Sequence, residues 1–340
     1  MTVKRPATLA DVARAAGVSS ATVSRHLNAP GTVAAKTGAR IAEAVAALGY
    51  TPDHGARAMA TGRSQMVGAV VPTMENAIFA RGLHAFQAGL AQAGYTLLVA
   101  SHDYDLAREA ELIRTFVSRG ADGMLLVGQD RDPAAGTLLR QRGVPTVAAW
   151  THAPDGPFPS VGFDNRAAMR ALAEEVLRLG HRRIAMLSAV TVGNDRARLR
   201  VAGLRDAMEA EGLDPATLRV VEAGAGIAAA GAAFDRAMMM DAPPTALICG
   251  NDVLAAGAMD RARVQRIEVP RDVSITGFDD IDIAGVVTPP LTTVHVPHAE
   301  MGRRAAATLV EMIAGRPVPP PEALPATPRY RGTLSAPPRA

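Results

Sequence analysis

The chain has 340 residues, 48% apolar and 20% charged, which excludes a disordered or fibrous protein and leaves room for two or three packed units, since single cores stop growing near roughly 250–300 residues. No apolar run approaches the roughly 18 residues of a bilayer crossing, and the start, MTVKRPATLADVARAAG, lacks the apolar core of a secretory signal, so a cytoplasmic protein with no membrane contact is expected. The net charge of +3 is unevenly spread: residues 1–65 hold Lys4, Arg5, Arg14, Arg25, Lys36, Arg40, Arg57 and Arg63 against Asp11, Glu43 and Asp53, an excess of +5, and the remainder sums to −2.

Such an excess suits a module that meets a polyanion or a basic leader on an enzyme, and the motifs separate the two. Thr8-Leu-Ala-Asp11 has the capping-box pattern, in which a hydroxyl caps the first free N–H groups and an acid three residues on reaches back. Leu9, Val12, Ala13 and Ala16 then keep helical spacing to Gly17, which with Val18 and Ser19 makes a stop, a turn and a new cap. A second short helix runs from Ser20 to about Leu27, with Val23 and Leu27 inward. A third spans about 36–48, with Ile41, Val45 and Leu48 on one face. Three short helices with a glycine turn between the first two form a helix-turn-helix pattern, whose second helix enters the major groove by its N-terminal end. Its outward positions are Ser20, Ala21, Ser24 and Arg25. Arginine pairs two-pronged with guanine O6 and N7, whereas hydroxyls at Ser19, Thr22 and Ser24 suit phosphate contacts, which set register. Thr8 is counted with them. The plainer reading is a small packing domain with Arg25 solvated.

The run Thr8-Leu-Ala-Asp-Val-Ala-Arg-Ala-Ala-Gly-Val-Ser-Ser-Ala-Thr-Val-Ser-Arg25 closely resembles the N-terminal signature of the lactose/galactose-repressor family of bacterial transcription regulators. Ala47-Leu-Gly-Tyr-Thr-Pro52 resembles that family's exit from the third helix, and His54-Gly-Ala-Arg-Ala-Met-Ala-Thr-Gly-Arg-Ser64 its hinge. The resemblance implies that Ser20, Ala21 and Arg25 read bases and that Arg57 and Met59 meet DNA from the hinge. Met59 stands where the family usually wedges a leucine into the minor groove, and methionine is among the apolar wedges that kink DNA. Gly55 and Gly62 bracket a segment too short to be a stable helix alone, which suits folding on DNA.

From about residue 67 the periodicity changes. Strands are expected at 67–71, 96–100, 124–127 and 145–149, with helices at 78–93, 106–118 and 134–142 between them. A second series is expected to begin with a strand at 161–163 and a helix at 165–179. It continues with strands at 184–187, 218–221, 246–249 and 273–276 and helices at 196–210, 227–239 and 253–262. Strands spaced by amphipathic helices mean parallel sheets covered on both faces, here as two α/β lobes. Segments 291–296 and 300–314 are expected to cross back to the first lobe, and Pro-rich 316–328 to wrap a surface or an edge. The expected organisation is a helix-turn-helix domain at 1–50 and a hinge at 51–64. A periplasmic-binding-protein-like effector-binding and dimerisation domain follows at 65–340, with lobe 1 near 65–160 and 292–325, lobe 2 near 161–291, and the tail left open. Cys249, the single cysteine, excludes an intrachain disulfide and falls in a strand as a buried residue.

Open α/β sheets bind ligands beyond the C-terminal ends of their strands, so candidates are residues just after strands. These include Asn76 and Phe79 after the first, Trp150 after the fourth, and Arg196 and Arg200 at a helix start. Asn251 and Asp279 follow two later strands. By resemblance Arg200 matches the family's ligand-gripping arginine, Asn251 and Asp279 its polar pair, and Trp150 stands where several sugar-responsive members carry aspartate. An indole there can stack on a sugar face. Three arginines in Asp195-Arg-Ala-Arg-Leu-Arg200 favour an anionic group such as a sugar acid or phosphate, with Arg198 read as solvated.

Other readings are weaker. Gly224-Ala-Gly226-Ile-Ala-Ala229 formally meets a dinucleotide fingerprint but lacks the acid about twenty positions on, where Pro243-Pro244-Thr245 stands. His295, His298 and Glu300 flank Pro297 and read as structural rather than as metal ligands. Neighbouring Asp279 and Asp280 point different ways rather than forming an acid–base pair. Neither a metal nor a cofactor is expected. The expectation is a dimeric, ligand-controlled repressor of a carbohydrate or sugar-acid operon on a near-palindromic operator, with a solute-binding receptor or an α/β enzyme as the alternatives.

Overall fold

The computed structural model describes residues 5, 7–51, 62–75 and 77–338, and the chain divides into two compact units, 1–64 and 65–340.

The first unit holds α1 (Leu9–Ala16), α2 (Ser20–Asn28) and α3 (Ala35–Leu48). Thr8 Oγ1 accepts from the Asp11 N–H at 3.3 Å, and the Asp11 carboxylate accepts from the Thr8 N–H at 3.0 Å. The hydrogen bonds from Thr8 hold the Asp11 carboxyl below its ordinary range. Gly17 ends α1 in the left-handed region at φ +62°. The Arg40 guanidinium, reaching from α3, donates to the carbonyls of Ala16 and Gly17, and a Cβ at residue 17 would lie 2.7 Å from it. The left-handed conformation is what favours glycine here, since the guanidinium at the end of a flexible side chain can shift aside. Val12, Ala13, Ala16, Val23, Ile41 and Ala44 make the core. Leu48, expected inside, is 41% exposed. Eight residues of α1 span about 12 Å and fourteen of α3 about 21 Å, so the last turn of α3 outruns its cover, and Ala44 is the inward residue.

In the second unit, among the described residues, β1 (Met66–Val71), β2 (Thr96–Ser101), β3 (Gly123–Val127), β4 (Thr146–Ala149) and β5 (Ser160–Val161) form a parallel sheet in the order β2-β1-β3-β4-β5. The helices α4 (Ala80–Gln92), α5 (Leu106–Ser118) and α6 (Pro133–Gln141) connect the first four strands. A second parallel sheet, ordered β7-β6-β8-β9, comprises β6 (Ile184–Ala189), β7 (Arg219–Ala223), β8 (Ala246–Cys249) and β9 (Ser274–Thr276). Its helices are α7 (Asn165–Arg178), α8 (Asp195–Ala210), α9 (Ile227–Met238) and α10 (Asp252–Val264). After the short α11 (Ile283–Val286), β10 (Thr293–His295) leads into α12 (His298–Ile313), and β11 (Thr327–Arg329) returns antiparallel to β10.

α12 packs on α4 at close range: a Cβ on Gly302 would fall 2.1 Å from the Gly82 carbonyl oxygen. That contact returns 298–313 to the first lobe. The strand near 161 does not open the second series. It pairs with β4 through Ala148↔Ser160 and Ala149↔Val161, because the chain after Trp150 makes a loop and returns to extend the same sheet. The end of the chain also departs from a simple wrap. The Leu324 N–H donates to Gly162 O at 2.8 Å, but further on the Ile275 N–H donates to Thr333 O at 2.9 Å, so the tail passes from the first sheet to the edge of the second.

Candidate functional site

On α2, Ser20, Ala21 and Arg25 are exposed, and among the described residues no carboxylate pairs with Arg25. Val23 points the other way, fully buried. Ser19 caps the helix by accepting from the Thr22 N–H at 3.2 Å, and the two hydroxyls lie 2.8 Å apart. Asn28 Nδ2 donates to Ser24 Oγ at 3.3 Å. The face that sequence reasoning marks as outward is thus small, polar and basic. Arg57 and Met59 lie outside the described residues, as does Asn76 of the body.

In the second unit a pocket opens between the C-terminal ends of the two sheets. Phe79, Tyr104 and Trp150 line it from the first lobe, and Ser188, Asn194, Arg196, Arg200, Asn251 and Asp279 from the second. Six of the predicted effector residues therefore converge on one cavity. Trp150 is 2% exposed at φ +62°. Its ring meets Phe79 edge-on at 5.1 Å, and its indole N–H has no acceptor among the described residues.

Arg200 is held from several sides. Its Nε donates to Asn165 Oδ1 at 2.9 Å, another nitrogen donates to Gly250 O, and a third stands 3.5 Å from Asp279 Oδ1. The guanidinium lies over the Phe278 ring at 3.8 Å, a cation–π contact. Burial lowers its pKa and the Asp279 carboxylate opposes that shift. Asp279, fully buried at φ +103°, is fixed through its backbone: its N–H donates to Val294 O at 2.9 Å and its carbonyl accepts from His298 Nε2 at 3.1 Å. Neither carboxylate oxygen receives a hydrogen bond among the described residues. Asp280 instead faces away, accepting from Arg331 at 2.6 Å and contacting His295 Nδ1 at 2.9 Å. Burial raises its pKa, but these partners outweigh burial and hold the carboxyl low. His298 and His295 are thereby engaged, and Glu300 pairs with Arg303 and Arg304.

Behind the pocket, the carboxylate of buried Asp252 accepts from Thr293 Oγ1 at 2.5 Å and from the Ile281 N–H at 2.8 Å. Burial, and then the charge of Asp279, raise its pKa to about 8. Arg196 lines the cavity but also donates to Val127 O at 3.1 Å and to Asp195 Oδ1 at 2.8 Å. Arg198, read as solvated, is half-exposed yet paired with Asp130 of the first lobe at 2.5 and 2.8 Å. It lies one turn along α8, where it faces the loop after β3 rather than water alone.

Sequence reasoning missed Asn165 and Tyr104. Asn165 joins the lobes: its Nδ2 donates to Trp150 O at 3.0 Å while its Oδ1 accepts from Arg200. It stands just after the strand expected at 161–163, within reach of the rule of seeking polar residues after strands, and the pairing of that strand with β4 is what sets it beside Trp150. Cys249 is buried in β8, and burial raises its thiol pKa.

A DNA-groove helix face on one unit and a two-lobed ligand cleft in the other define a ligand-responsive transcription regulator. Residues 8–53 match the model of bacterial regulatory proteins of the lacI family, and residues 173–334 match a periplasmic binding protein-like domain. The chain is 32% identical over 318 residues to the HTH-type transcriptional regulator GntR of Pseudomonas aeruginosa, covering 93% of this chain and 92% of that one. It belongs to the lacI family, a family of DNA-binding regulators and not of enzymes. Among solved structures, a lacI-family regulator from Silicibacter pomeroyi superposes with a TM-score of 0.88 at 26% identity, covering 97% of this chain and all of that one. The lac repressor dimer bound to operator and the anti-inducer ONPF superposes with a TM-score of 0.84 at 25% identity, covering 98% of this chain and 100% of that one.

Proposed function

We propose that this regulator acts in the cytoplasm as a homodimer that represses a carbohydrate or sugar-acid operon, with residues 1–50 as its DNA head, 51–64 as hinge and 65–340 as sensor. Ser20, Ala21 and Arg25 read base edges, while Thr8, Ser19, Thr22 and Ser24 contact phosphates. Arg57 and Met59 meet the operator centre. A small effector sits among Asn76, Phe79, Trp150, Arg196, Arg200, Asn251 and Asp279. Two-fold protein symmetry is mirrored in a near-palindromic operator, and the operator-bound dimer of the similar lac repressor supports that arrangement. The observation that carries the effector reading is the buried, hydrogen-bond-poor pair of Trp150 Nε1 and the Asp279 carboxylate inside one cavity. Buried polar atoms are normally satisfied, and a ligand supplies what these lack. Binding the open and closed lobes unequally is all that coupling to DNA requires.

The test is selection of genomic fragments on the purified chain, followed by DNA titration with and without candidate effectors. A recovered site with two inverted half-sites is expected, and Arg200→Lys, which keeps the charge but loses the forked contacts, removes the effector response while sparing DNA affinity. A normal response in that variant takes Arg200 out of the effector site.

A further inference from the structure

We infer that the effector is a monocarboxylate carrying hydroxyl groups, a sugar acid rather than a neutral sugar or a sugar phosphate; this rests on reading the cleft as the effector site. Several acceptors that line the pocket already hold a partner. The Gly250 carbonyl already accepts from Arg200, Asn194 Oδ1 from the Ala197 N–H and Asn251 Oδ1 from the Leu254 N–H. Ser188 Oγ donates to the Ala189 carbonyl and, like the Tyr104 hydroxyl, keeps its lone pairs as a neutral acceptor. Among the described side chains this leaves the two oxygens of Asp279 as the charged acceptor.

Donors are plentiful by contrast. The Trp150 indole, on the first lobe, is 2% exposed and donates only, and the Arg196 and Arg200 guanidiniums line the cavity from the second lobe, each with N–H groups beyond those already given to Val127 O, Asp195, Asn165 and Gly250 O. Three helices of 13, 16 and 13 residues, α4, α8 and α10, also begin at the cavity, with their caps Phe79, Asn194 and Asn251 in its lining. Their N-termini add positive potential.

A neutral sugar brings a hydrogen on every hydroxyl, and each one buried without an acceptor is costly. Replacing one end by a carboxylate removes donors and adds acceptors where Trp150 and the arginines wait, leaving a hydroxyl pair for Asp279. A phosphate dianion fits less well, because Asp195 and Asp279 already face the two guanidiniums.

The experiment is calorimetric titration of the full chain with aldonates and uronates of common hexoses and pentoses, the matching neutral sugars and their phosphates. The tightest binder is expected to be a carboxylate, its neutral counterpart weaker by about tenfold or more, the size of one hydrogen bond to a charged group. Trp150→Phe, which keeps a ring but loses the N–H, is expected to weaken it, as is the mild Tyr104→Phe. A neutral sugar or phosphate as tightest binder, or no carboxylate binding at all, overturns the inference. If that competing ligand is still weakened by Trp150→Phe or Tyr104→Phe, the cleft reading stands and only the charge assignment fails. A ligand indifferent to both variants overturns the cleft reading too.

Discussion

Arg25 and Asp252 are both charged-type residues, yet solvent decides their roles in opposite ways. Arg25 stands exposed on α2, free of an acidic partner among the described residues, so truncation takes away no ion pair of the fold. Arg25→Ala is expected to weaken operator binding by about 1–3 kcal/mol and relax base choice at one position of each half-site, measured by titrating base-substituted operators. Asp252 is buried, and its pKa is raised to about 8 against an ordinary value of 3.8. The folded state therefore holds a proton that the unfolded chain releases. Stability falls as pH rises from the ordinary carboxylate range through about 8. Denaturant midpoints at pH 6 and pH 9 are expected to differ in that sense, and Asp252→Asn to flatten the difference; an unchanged slope in the variant assigns the pH dependence to another group. The residue scale was also the most uneven to read from sequence. Arg200, Asn251 and Asp279 were legible as candidates from the family motif and Trp150 from its place at a strand end, and all four line one cavity. Asn165 was hidden because its meaning depends on which sheet claims β5, a long-range pairing that local patterns do not encode.

At the scale of elements, small residues set the distances. Gly302 of α12 lies so close to the Gly82 carbonyl of α4 that one methyl group has no room. Gly302→Ala is expected to lower the stability of the body by about 1–3 kcal/mol through overpacking, read as a shift in the denaturant midpoint. Gly302→Ser behaving like wild type would mean that the two helices separate at little cost. Helices such as 106–118 and strands such as 246–249 were legible to the residue, since a buried parallel strand and an amphipathic helix differ in period and length. The four-residue α11 and the edge strand β11 were not legible. α11 is too short to show a period, and β11 includes Pro328 and exists only because β10 lies opposite it.

Across the whole sensor, charge pairs span the cleft rim. Arg198 on α8 reaches Asp130 after β3, and Arg81 on α4 reaches Asp282, so each lobe contributes one arginine. Exposed pairs are worth about 0.2–1 kcal/mol each, so each biases lobe closure by no more than about fivefold. Arg198→Ala is accordingly expected to raise the effector dissociation constant by about two- to fivefold, with the effect shrinking in high salt. A loss of a hundredfold would instead place Arg198 on the ligand itself.

The segment beyond β11 has a consequence for how the molecule tolerates trimming. Thr333 is fully buried, its hydroxyl accepts from the Thr292 N–H at 2.9 Å, and the Ser335 carbonyl lies 2.8 Å from the ring of buried His181. Proteolytic loss of the chain from residue 331 onward would thus strip the edge of the second sheet and leave an imidazole nitrogen facing an empty slot. Nicking there would loosen the sensor lobe farthest along the chain from the head, and an affinity tag fused to residue 330 would do the same.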